Sequence, residues 1–300
     1  MSTLAPLGQV LASGTTLVLD GGLSNQLADQ GCDLSDALWS ARLLADAPGQ
    51  IEAAHAAYVR AGAQVLITAS YQATYEGFAH RGTDRAEAAR LLRSSVELAR
   101  RAAAGGTDVR VAASVGPYGA MLADGSEYRG RYGRSVRELA AFHRPRIETL
   151  AEAAPDALAL ETVPDADEAE AMLRAAEGTG VPVWLSYTVD GERTRAGQPL
   201  AEAFAVAAGR PEVVAVGVNC CAPADVDAAV ELAAAATGKP VVAYPNSGER
   251  WDPDARAWTG GTSLDPARAV SWRASGARLI GGCCRVGPPV IAALAQALHT

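Results

Sequence analysis

Two kinds of segment alternate along the whole chain, and this alternation is the feature that most constrains its fold. Eight short runs of β-branched and other apolar residues are each followed by an Ala- and Leu-rich amphipathic stretch. Runs of the first kind are typical of buried strands, and stretches of the second kind are typical of helices. The predicted strands are Thr16–Gly22, Gln64–Ser70, Val109–Gly116, Asp156–Val163, Val181–Val189, Val213–Cys220, Pro240–Gly248 and Ala277–Cys284. The predicted helices lie near residues 47–61, 84–104, 135–153, 166–177, 199–209, 224–236, 265–275 and 288–298.

The even spacing of these strand–helix units predicts a closed barrel. Residues 1–300 contain no linker, low-complexity segment or shift in composition that would divide the chain. We therefore predict an α/β fold, a single-domain (β/α)8 TIM barrel, which typically takes about 250 residues. A doubly wound open sheet is the alternative, and the even spacing favours closure. Hydrophobic residues form 49% of the chain and charged residues 20%, which excludes a disordered protein.

Charge and composition restrict the partners and the compartment. The net charge of −8 argues against nucleic acid, which binds basic surfaces, and suits neutral or cationic small molecules. No apolar run reaches the roughly 18 residues of a membrane span. The segment Met1–Val10 has neither the basic nor the apolar region of a signal peptide. We expect a cytoplasmic protein that binds small molecules and no membrane; the sequence does not indicate an oligomeric state.

The barrel prediction locates the functional site before any motif is considered. In such barrels the active site lies at the C-terminal ends of the strands, which form one rim. Polar and thiol side chains gather at the predicted strand ends, which are Asp20–Gly22, Thr68–Tyr71, Ser114–Pro117, Glu161–Pro164, Ser186–Tyr187, Asn219–Cys221, Tyr244–Asn246 and Gly281–Cys284.

Two adjacent cysteine pairs end the sixth and eighth predicted strands. These strand ends are second neighbours around the barrel, so Cys220, Cys283 and Cys284 can converge on a zinc ion. Three protein ligands with an open fourth position are typical of catalytic zinc. Successive strand residues face opposite sides, so we take Cys220 as the ligand that continues the strand and Cys221 as a backing residue. Buried unpaired thiols or a vicinal disulfide are the alternatives.

Glycines and carboxylates complete the predicted rim. Gly281–Gly282 would let the chain leave strand geometry, so that both cysteines after them reach the metal. Glu161 ends an apolar run, and a carboxylate there either binds a cation, acts as a general base or pairs with an arginine. Asp20 precedes Gly21–Gly22, and this sequence either forms a ligand-binding loop that accepts from an ammonium group or is a simple turn.

Several other chemistries are excluded. The single lysine, Lys239, precedes the seventh strand at the wrong end of the barrel for Schiff-base chemistry. The four histidines, which include His143, are scattered and form no zinc-binding spacing, so no catalytic role is expected for them. No Gly-x-Gly-x-x-Gly or Walker sequence is present, which leaves nucleotide cofactors without support.

Six rim motifs in register with the strand ends resemble those of the zinc-dependent homocysteine S-methyltransferases. The motifs are Asp20–Gly22, Ala69–Thr74, Ala113–Ala120, Glu161–Pro164, Gly217–Cys220 and Gly281–Cys284. The segment Asp124–Gly130 is similar to the branch that uses S-methylmethionine or S-adenosylmethionine, and not to the branch that uses betaine. The resemblance extends from about Leu17 to Leu298.

The resemblance implies a (β/α)8 fold, homocysteine as methyl acceptor and methionine as product. It also implies zinc bound by Cys220, Cys283 and Cys284, and it places Glu161 at the amino group of homocysteine. Asp20 and Gly21 would border the same amino acid. One segment departs from the family: Ser24–Ala28 reads Ser-Asn-Gln-Leu-Ala where relatives usually read Ala-Thr-Glu-Leu-Glu, so two acidic residues are lost.

The implied reaction joins a thiol and a sulfonium cation. Zinc ionises the homocysteine thiol, whose free pKa lies near ~8.5, and the sulfur attacks the sulfonium methyl without a general acid.

Aromatic and acidic residues favour a cationic donor; the candidates are Trp39, Tyr71, Tyr118, Glu127, Tyr128 and Tyr187. Residues 117–134 form the longest polar insertion, which is the predicted lid. Betaine as donor, another thiol as acceptor, or a structural zinc site with Cys221 as fourth ligand are the alternatives.

Overall fold

Parallel strands close into a ring in this structure, a computed structural model that describes residues 4–35, 38–252 and 257–299. The strands of the ring are β1 (Leu17–Val18), β2 (Val65–Ile67), β3 (Arg110–Val115), β4 (Ala157–Val163), β5 (Val183–Tyr187), β6 (Val213–Asn219), β7 (Val241–Tyr244) and β8 (Ala277–Ile280). They pair in parallel in the order β1-β8-β7-β6-β5-β4-β3-β2, and a parallel bridge between Leu19 and Val65 joins β1 to β2. The (β/α)8 barrel is confirmed, and the open sheet is wrong.

Helices surround the ring and cap it. They are α1 (Leu7–Ala12), α2 (Leu23–Asp29), α3 (Leu43–Asp46), α4 (Pro48–Arg60), α5 (Tyr75–His80), α6 (Arg85–Ala103), α7 (Tyr118–Leu122), α8 (Val136–Glu152), α9 (Ala166–Ala176), α10 (Leu200–Ala205), α11 (Val226–Thr237), α12 (Arg268–Ala274) and α13 (Pro288–His299). Short 3-10 helices span Trp39–Arg42, Ser126–Tyr128 and Pro223–Asp225. Two hairpins pair Val189–Asp190 with Arg193–Thr194 and Arg250–Asp252 with Ala257–Thr259.

All eight predicted helices are present, as α4, α6 and α8 to α13. The short helices α1, α2, α3, α5 and α7 are not predicted, because four to seven residues are too few to show a clear period. Local chemistry fixes helix starts: Ser135 and Glu138 form a capping box at α8, and the Asp165 side chain accepts from the Asp167 N–H at α9.

The core has two layers because successive strand residues face opposite sides of the sheet. On β4, Ala157 and Ala159 point into the barrel, whereas Leu158 and Leu160 pack beneath the helices. Leu7 and Leu11 of α1 join the inner cluster and close the N-terminal end of the barrel. The cavity that the three cysteines of the predicted site line lies at the opposite rim. Among the described residues, no helix combines the length and apolarity needed to cross a membrane.

Candidate metal and substrate site

Three thiols converge at the open rim. The sulfur atoms of Cys220, Cys283 and Cys284 all lie within 4.8 Å of one another, and those of Cys220 and Cys284 are 3.6 Å apart. All five cysteines are free. Cys221 is buried in the outer layer, between barrel and helices, and does not belong to this group. The geometry thus brings together the three predicted ligands and separates Cys221 from them.

A left-handed residue explains why neighbouring thiols on β6 point in different directions. The strand ends at Asn219, and Cys220 has a φ of 51°, so it does not continue the strand as predicted. A non-glycine residue in this region costs about 1–3 kcal/mol and is found mostly at functional sites. The turn breaks the alternation of faces, so that Asn219 bonds inside the barrel and Cys220 still reaches the rim. The position of this thiol agrees with the prediction, but the reason given for it is wrong.

Close packing, not backbone freedom, is what the glycines after β8 provide. A Cβ atom on Gly282 would lie 2.1 Å from Val286 Cγ1, and one on Gly281 would lie 2.6 Å from Leu19 Cβ. Neither glycine has a positive φ, which corrects the predicted role of their flexibility. The turn is fixed by Asn246, whose Oδ1 accepts from the Cys284 N–H at 3.1 Å.

Hydrogen bonds among the three thiols shift their pKa values in opposite directions. Hydrogen bonds from Cys283 and Cys284 lower the pKa of Cys220 well below its usual value, and the same contacts with Cys220 raise the pKa of both partners. The hydroxyl of Tyr128 lies 3.3 Å from the Cys220 sulfur and donates to its thiolate. These contacts favour ionisation of Cys220 over that of its two neighbours. A bound cation would favour ionisation of all three, and an all-sulfur donor set with an open side fits zinc.

Glu161 presents a carboxylate to the cavity beside the thiols. Ser114 donates to its Oε1, and the Tyr244 hydroxyl donates to its Oε2 at 2.9 Å. Burial raises the pKa of Glu161 to about 7, against the opposing effect of these two hydrogen bonds. No arginine or lysine among the described residues forms an ion pair with it. Glu161 is therefore available to a ligand cation.

Asp20 bonds to the neighbouring strand β2. Its Oδ2 accepts from the Ile67 N–H at 2.9 Å and lies 4.0 Å from His55 Nδ1. The side chain is 1% exposed and does not line the cavity, so its contact with substrate stays a prediction. Gly21 does line the cavity. A Cβ atom on Gly21 would lie 2.1 Å from the Val286 carbonyl oxygen, so the protein's own packing already requires a glycine there.

The cavity beside the thiols separates the predicted donor residues into two groups. Tyr71, Glu127 and Tyr128 line it. Tyr118 instead packs against Tyr132 and Phe142, and Tyr187 is buried against Phe204. The side chain of Trp39 lies outside the described residues. The cavity wall is completed by residues from several strand ends and from α2, namely Gly22, Leu23, Ser24, Asn25, Ser40, Ile67, Thr68, Ala69, Gln72, Thr162 and Gly282.

The segment that departs from the family forms most of α2. Ser24 and Asn25 line the cavity, and Asn25 Oδ1 accepts from the Arg285 N–H at 2.6 Å. This bond fixes the backbone directly after Cys284. Gln26 and Ala28, which occupy the two positions that lack an acidic residue, do not line the cavity, and Ala28 is exposed.

A buried polar network behind the rim is not predicted from the sequence. Arg146 donates from Nη2 to the Gly116 carbonyl and to His143 Nδ1, the latter at 2.7 Å. Because arginine has no acceptor, His143 carries its proton on Nε2, which donates to Glu168 Oε1 at 2.9 Å. The same oxygen accepts from the Tyr118 N–H at 2.5 Å. The network ties the start of the 117–134 insertion to α8 and α9. The i, i+3 spacing of His143 and Arg146 on the buried face of α8 was the available signal.

Comparisons with known proteins agree with this geometry. The sequence model described as homocysteine S-methyltransferase matches residues 17–298. The homocysteine S-methyltransferase of Escherichia coli (strain K12) is 47% identical and covers 98% of this chain and 99% of its own length. YbgG of Bacillus subtilis (strain 168), also a homocysteine S-methyltransferase, is 42% identical, with 98% and 99% covered. Among solved structures, the metallated form of the E. coli homocysteine methyltransferase MmuM superposes with a TM-score of 0.87 at 44% identity, covering 97% and 99%. A match of this extent over fold and sequence assigns the chain to the homocysteine S-methyltransferase family.

Proposed function

We propose that this protein transfers a methyl group from S-methylmethionine or S-adenosylmethionine to homocysteine, giving methionine, with Zn²⁺ held by Cys220, Cys283 and Cys284. The observation that carries the proposal is the convergence of three thiols beside a cavity that Glu161 lines without a cationic partner. The family match and the metallated form of the E. coli relative support a metal at this position.

The thiols of this chain set the character of the site. When bound, zinc supplies a Lewis acid that lowers the pKa of a coordinated substrate thiol from its free value near ~8.5. Cys220, Cys283 and Cys284 together contribute three negative charges, whereas three histidines would contribute none. A substrate sulfur that joins three thiolates stays electron-rich, which favours attack on carbon.

Glu161 positions the acceptor. Its carboxylate has no protein cation, so the ammonium group of homocysteine is its natural partner in the cavity. The hydroxyls of Ser114 and Tyr244 fix the orientation of the carboxylate. Asp20 and Gly21, at the start of the neighbouring loop, are proposed to border the same amino acid.

Methyl transfer itself needs no proton from the protein. The thiol proton leaves when homocysteine binds, a bond forms between its sulfur and the methyl carbon, and the bond from that carbon to the donor sulfur breaks. The electron pair stays on the donor sulfur, so the donor departs as a neutral thioether. No histidine lines the cavity in the described part of the chain, which fits a reaction without a general acid.

The donor and acceptor are tested by direct product analysis. Zinc-loaded protein is incubated with homocysteine and S-methylmethionine, S-adenosylmethionine or betaine, each alone, and methionine is quantified. We expect methionine with either sulfonium donor and none with betaine. Methionine formed with betaine and with neither sulfonium would identify betaine as the donor. If none of the three donors gave methionine, the proposal would be refuted. Cysteine, supplied in place of homocysteine, tests the acceptor, and S-methylcysteine is then the product to quantify.

A further inference from the structure

A second carboxylate, one of the six donor candidates from the sequence, lies in the cavity wall. Glu127 lies on the 3-10 helix Ser126–Tyr128 and is 5% exposed. Its Oε2 is buried without a hydrogen-bond partner, and no described arginine, lysine or histidine forms an ion pair with the side chain. A buried charge without a partner is unfavourable, and a ligand cation would remove that cost. This carboxylate lines the same cavity as the thiols.

The packing of the insertion holds Glu127 in this place. A Cβ atom on Gly119 would lie 2.4 Å from the Glu127 backbone nitrogen, so α7 and the 3-10 helix approach each other as closely as a glycine permits. Position 127 is therefore fixed by backbone contact and not by bonds of its side chain. The carboxylate is left free to meet a ligand.

Aromatic groups lie next to this carboxylate on the side of the thiols. The Tyr128 hydroxyl is 3.3 Å from the Cys220 sulfur, yet the residue is 40% exposed, so part of its ring faces the cavity. Tyr71 lines the same cavity. Aromatic faces and a carboxylate oxygen without a hydrogen-bond partner suit a cation that has no N–H group to donate. A sulfonium is such a cation, whereas an ammonium demands hydrogen-bond acceptors.

We propose that Glu127, together with Tyr71 and Tyr128, binds the sulfonium centre of the methyl donor and makes the site prefer the cation over its neutral thioether. The inference rests on the proposed function, in which Glu161 takes the ammonium of the acceptor. The positive charge vanishes when the methyl group leaves, so the attraction to Glu127 ends at that moment. Glu127 therefore strengthens binding of the donor and not of the spent product, and it does not speed the transfer step.

The test compares a cationic and a neutral ligand that share the same amino acid portion. At saturating homocysteine, which occupies the acceptor position, we measure the KM of S-methylmethionine and the inhibition constant of methionine against it. Wild type, Glu127→Gln and Glu127→Asp are compared, with Asp124→Asn as the matched control. Asp124 is an exposed acid of the same insertion that does not line this cavity. Metal content and Tm are recorded for each protein.

We expect Glu127→Gln to raise the KM of S-methylmethionine by about tenfold or more, because a carboxylate–cation attraction in the cavity wall is lost. The inhibition constant of methionine and the metal content should stay within about twofold of wild type, and kcat should not fall, because the attraction weakens as the charge leaves the donor sulfur. Glu127→Asp keeps the charge and should keep the preference for S-methylmethionine, and Asp124→Asn should match wild type. Tm should not fall in Glu127→Gln, since the charge removed has no partner in the protein.

An equal loss of affinity for S-methylmethionine and for methionine would overturn the inference, because Glu127 would then contact the ammonium group that both ligands share. An unchanged KM, or a kcat that falls while the KM does not change, would overturn it as well. A separate measurement does not depend on turnover or on the stability of one variant: S-methylmethionine without homocysteine should raise the Tm of wild type and of Asp124→Asn more than that of Glu127→Gln. If wild type formed no methionine, the proposed function would fail. The thermal shift would still show whether Glu127 contributes to binding of the sulfonium.

Discussion

Two buried glutamates have a similar pKa, yet they lie in regions of opposite character. Burial raises the pKa of Glu161 at the rim to about 7, and it raises that of Glu168 behind the rim to about 7 as well. Among the described residues, only the neutral hydroxyls of Ser114 and Tyr244 donate to Glu161, and the cavity lies open beside it. Glu168 is fully buried, its Oε1 accepts from the Tyr118 N–H and from His143 Nε2, and the nearby charge of Arg146 opposes the rise of its pKa. In both cases the raised pKa reflects burial, so it does not identify a binding position. What distinguishes Glu161 from Glu168 is that no described protein cation lies beside it.

The thiols repeat this contrast within two adjacent residues. Cys220 faces the cavity, and its pKa is lowered by the neighbouring thiols. Cys221 lies on the outer side of the sheet, where burial raises its pKa. The rim thus presents its thiols and Glu161 to a cavity, whereas the layer behind it holds groups that the protein encloses on all sides. The following changes test that division, beginning with the largest effect.

Removal of one thiol from each layer should give opposite results. Cys220→Ala should lose metal and activity, as should Cys283→Ala and Cys284→Ala, because three ligands leave no redundancy. Cys221→Ala and Cys32→Ala should retain both. Metal content is measured by elemental analysis of the purified proteins. Loss of metal from Cys221→Ala together with retention in Cys220→Ala would reverse the assignment of faces on β6.

The rim glutamate should affect substrate binding and little else. Glu161→Gln removes a charge-assisted contact with the homocysteine ammonium, so we expect a loss of ~1.5–3 kcal/mol in homocysteine affinity. Metal content should be unchanged. The measurement is the KM for homocysteine with the donor at saturation. An unaltered value would return Glu161 to a purely structural role.

The enclosed glutamate should affect stability and not substrate affinity. Glu168→Gln removes the charge that faces Arg146 and disturbs the acceptor of His143, so we expect a loss of about 1–3 kcal/mol in the free energy of unfolding. The KM for homocysteine should stay within about twofold of wild type. Denaturant unfolding and steady-state kinetics check the two halves of this prediction. A large rise in KM without a change in stability would erase the distinction between the two regions.

The pH dependence should separate Glu161 from the substrate thiol. Burial disfavours the charged form, so Glu161 is neutral below about pH 7 and becomes an ionised partner for ammonium above it. Ionisation of the free thiol affects wild type and Glu161→Gln equally, so the ratio of their KM values isolates the carboxylate. From pH 6 to pH 8 the wild-type advantage should grow by up to about tenfold, the change in the ionised fraction around the pKa. A ratio that is constant with pH would show that Glu161 does not titrate in this range.

Much of the fold was predictable because it depends on local periodicity. Strand and helix periods gave the barrel and its eight outer helices, and cysteines at strand ends gave the group of three thiols. Strand lengths were overestimated, as at Thr16–Gly22, since rim residues leave the ladder to form the site. Features that depend on contacts between distant segments could not be predicted, because the sequence does not show which segments meet. They are the left-handed turn at Cys220, the bond from the Ile67 N–H to Asp20 and the network around Glu168.

The central claim is that the three thiols of the rim form an incomplete metal site that the substrate completes. X-ray absorption at the zinc edge of the loaded protein tests it most directly, before and after addition of homocysteine without a donor. We predict three sulfur ligands and one lighter ligand in the free protein, and replacement of the lighter ligand by a fourth sulfur on binding. Homoserine, which carries a hydroxyl in place of the thiol, should cause no gain of sulfur. A zinc shell that does not change when homocysteine is added would contradict the account, even if the enzyme makes methionine.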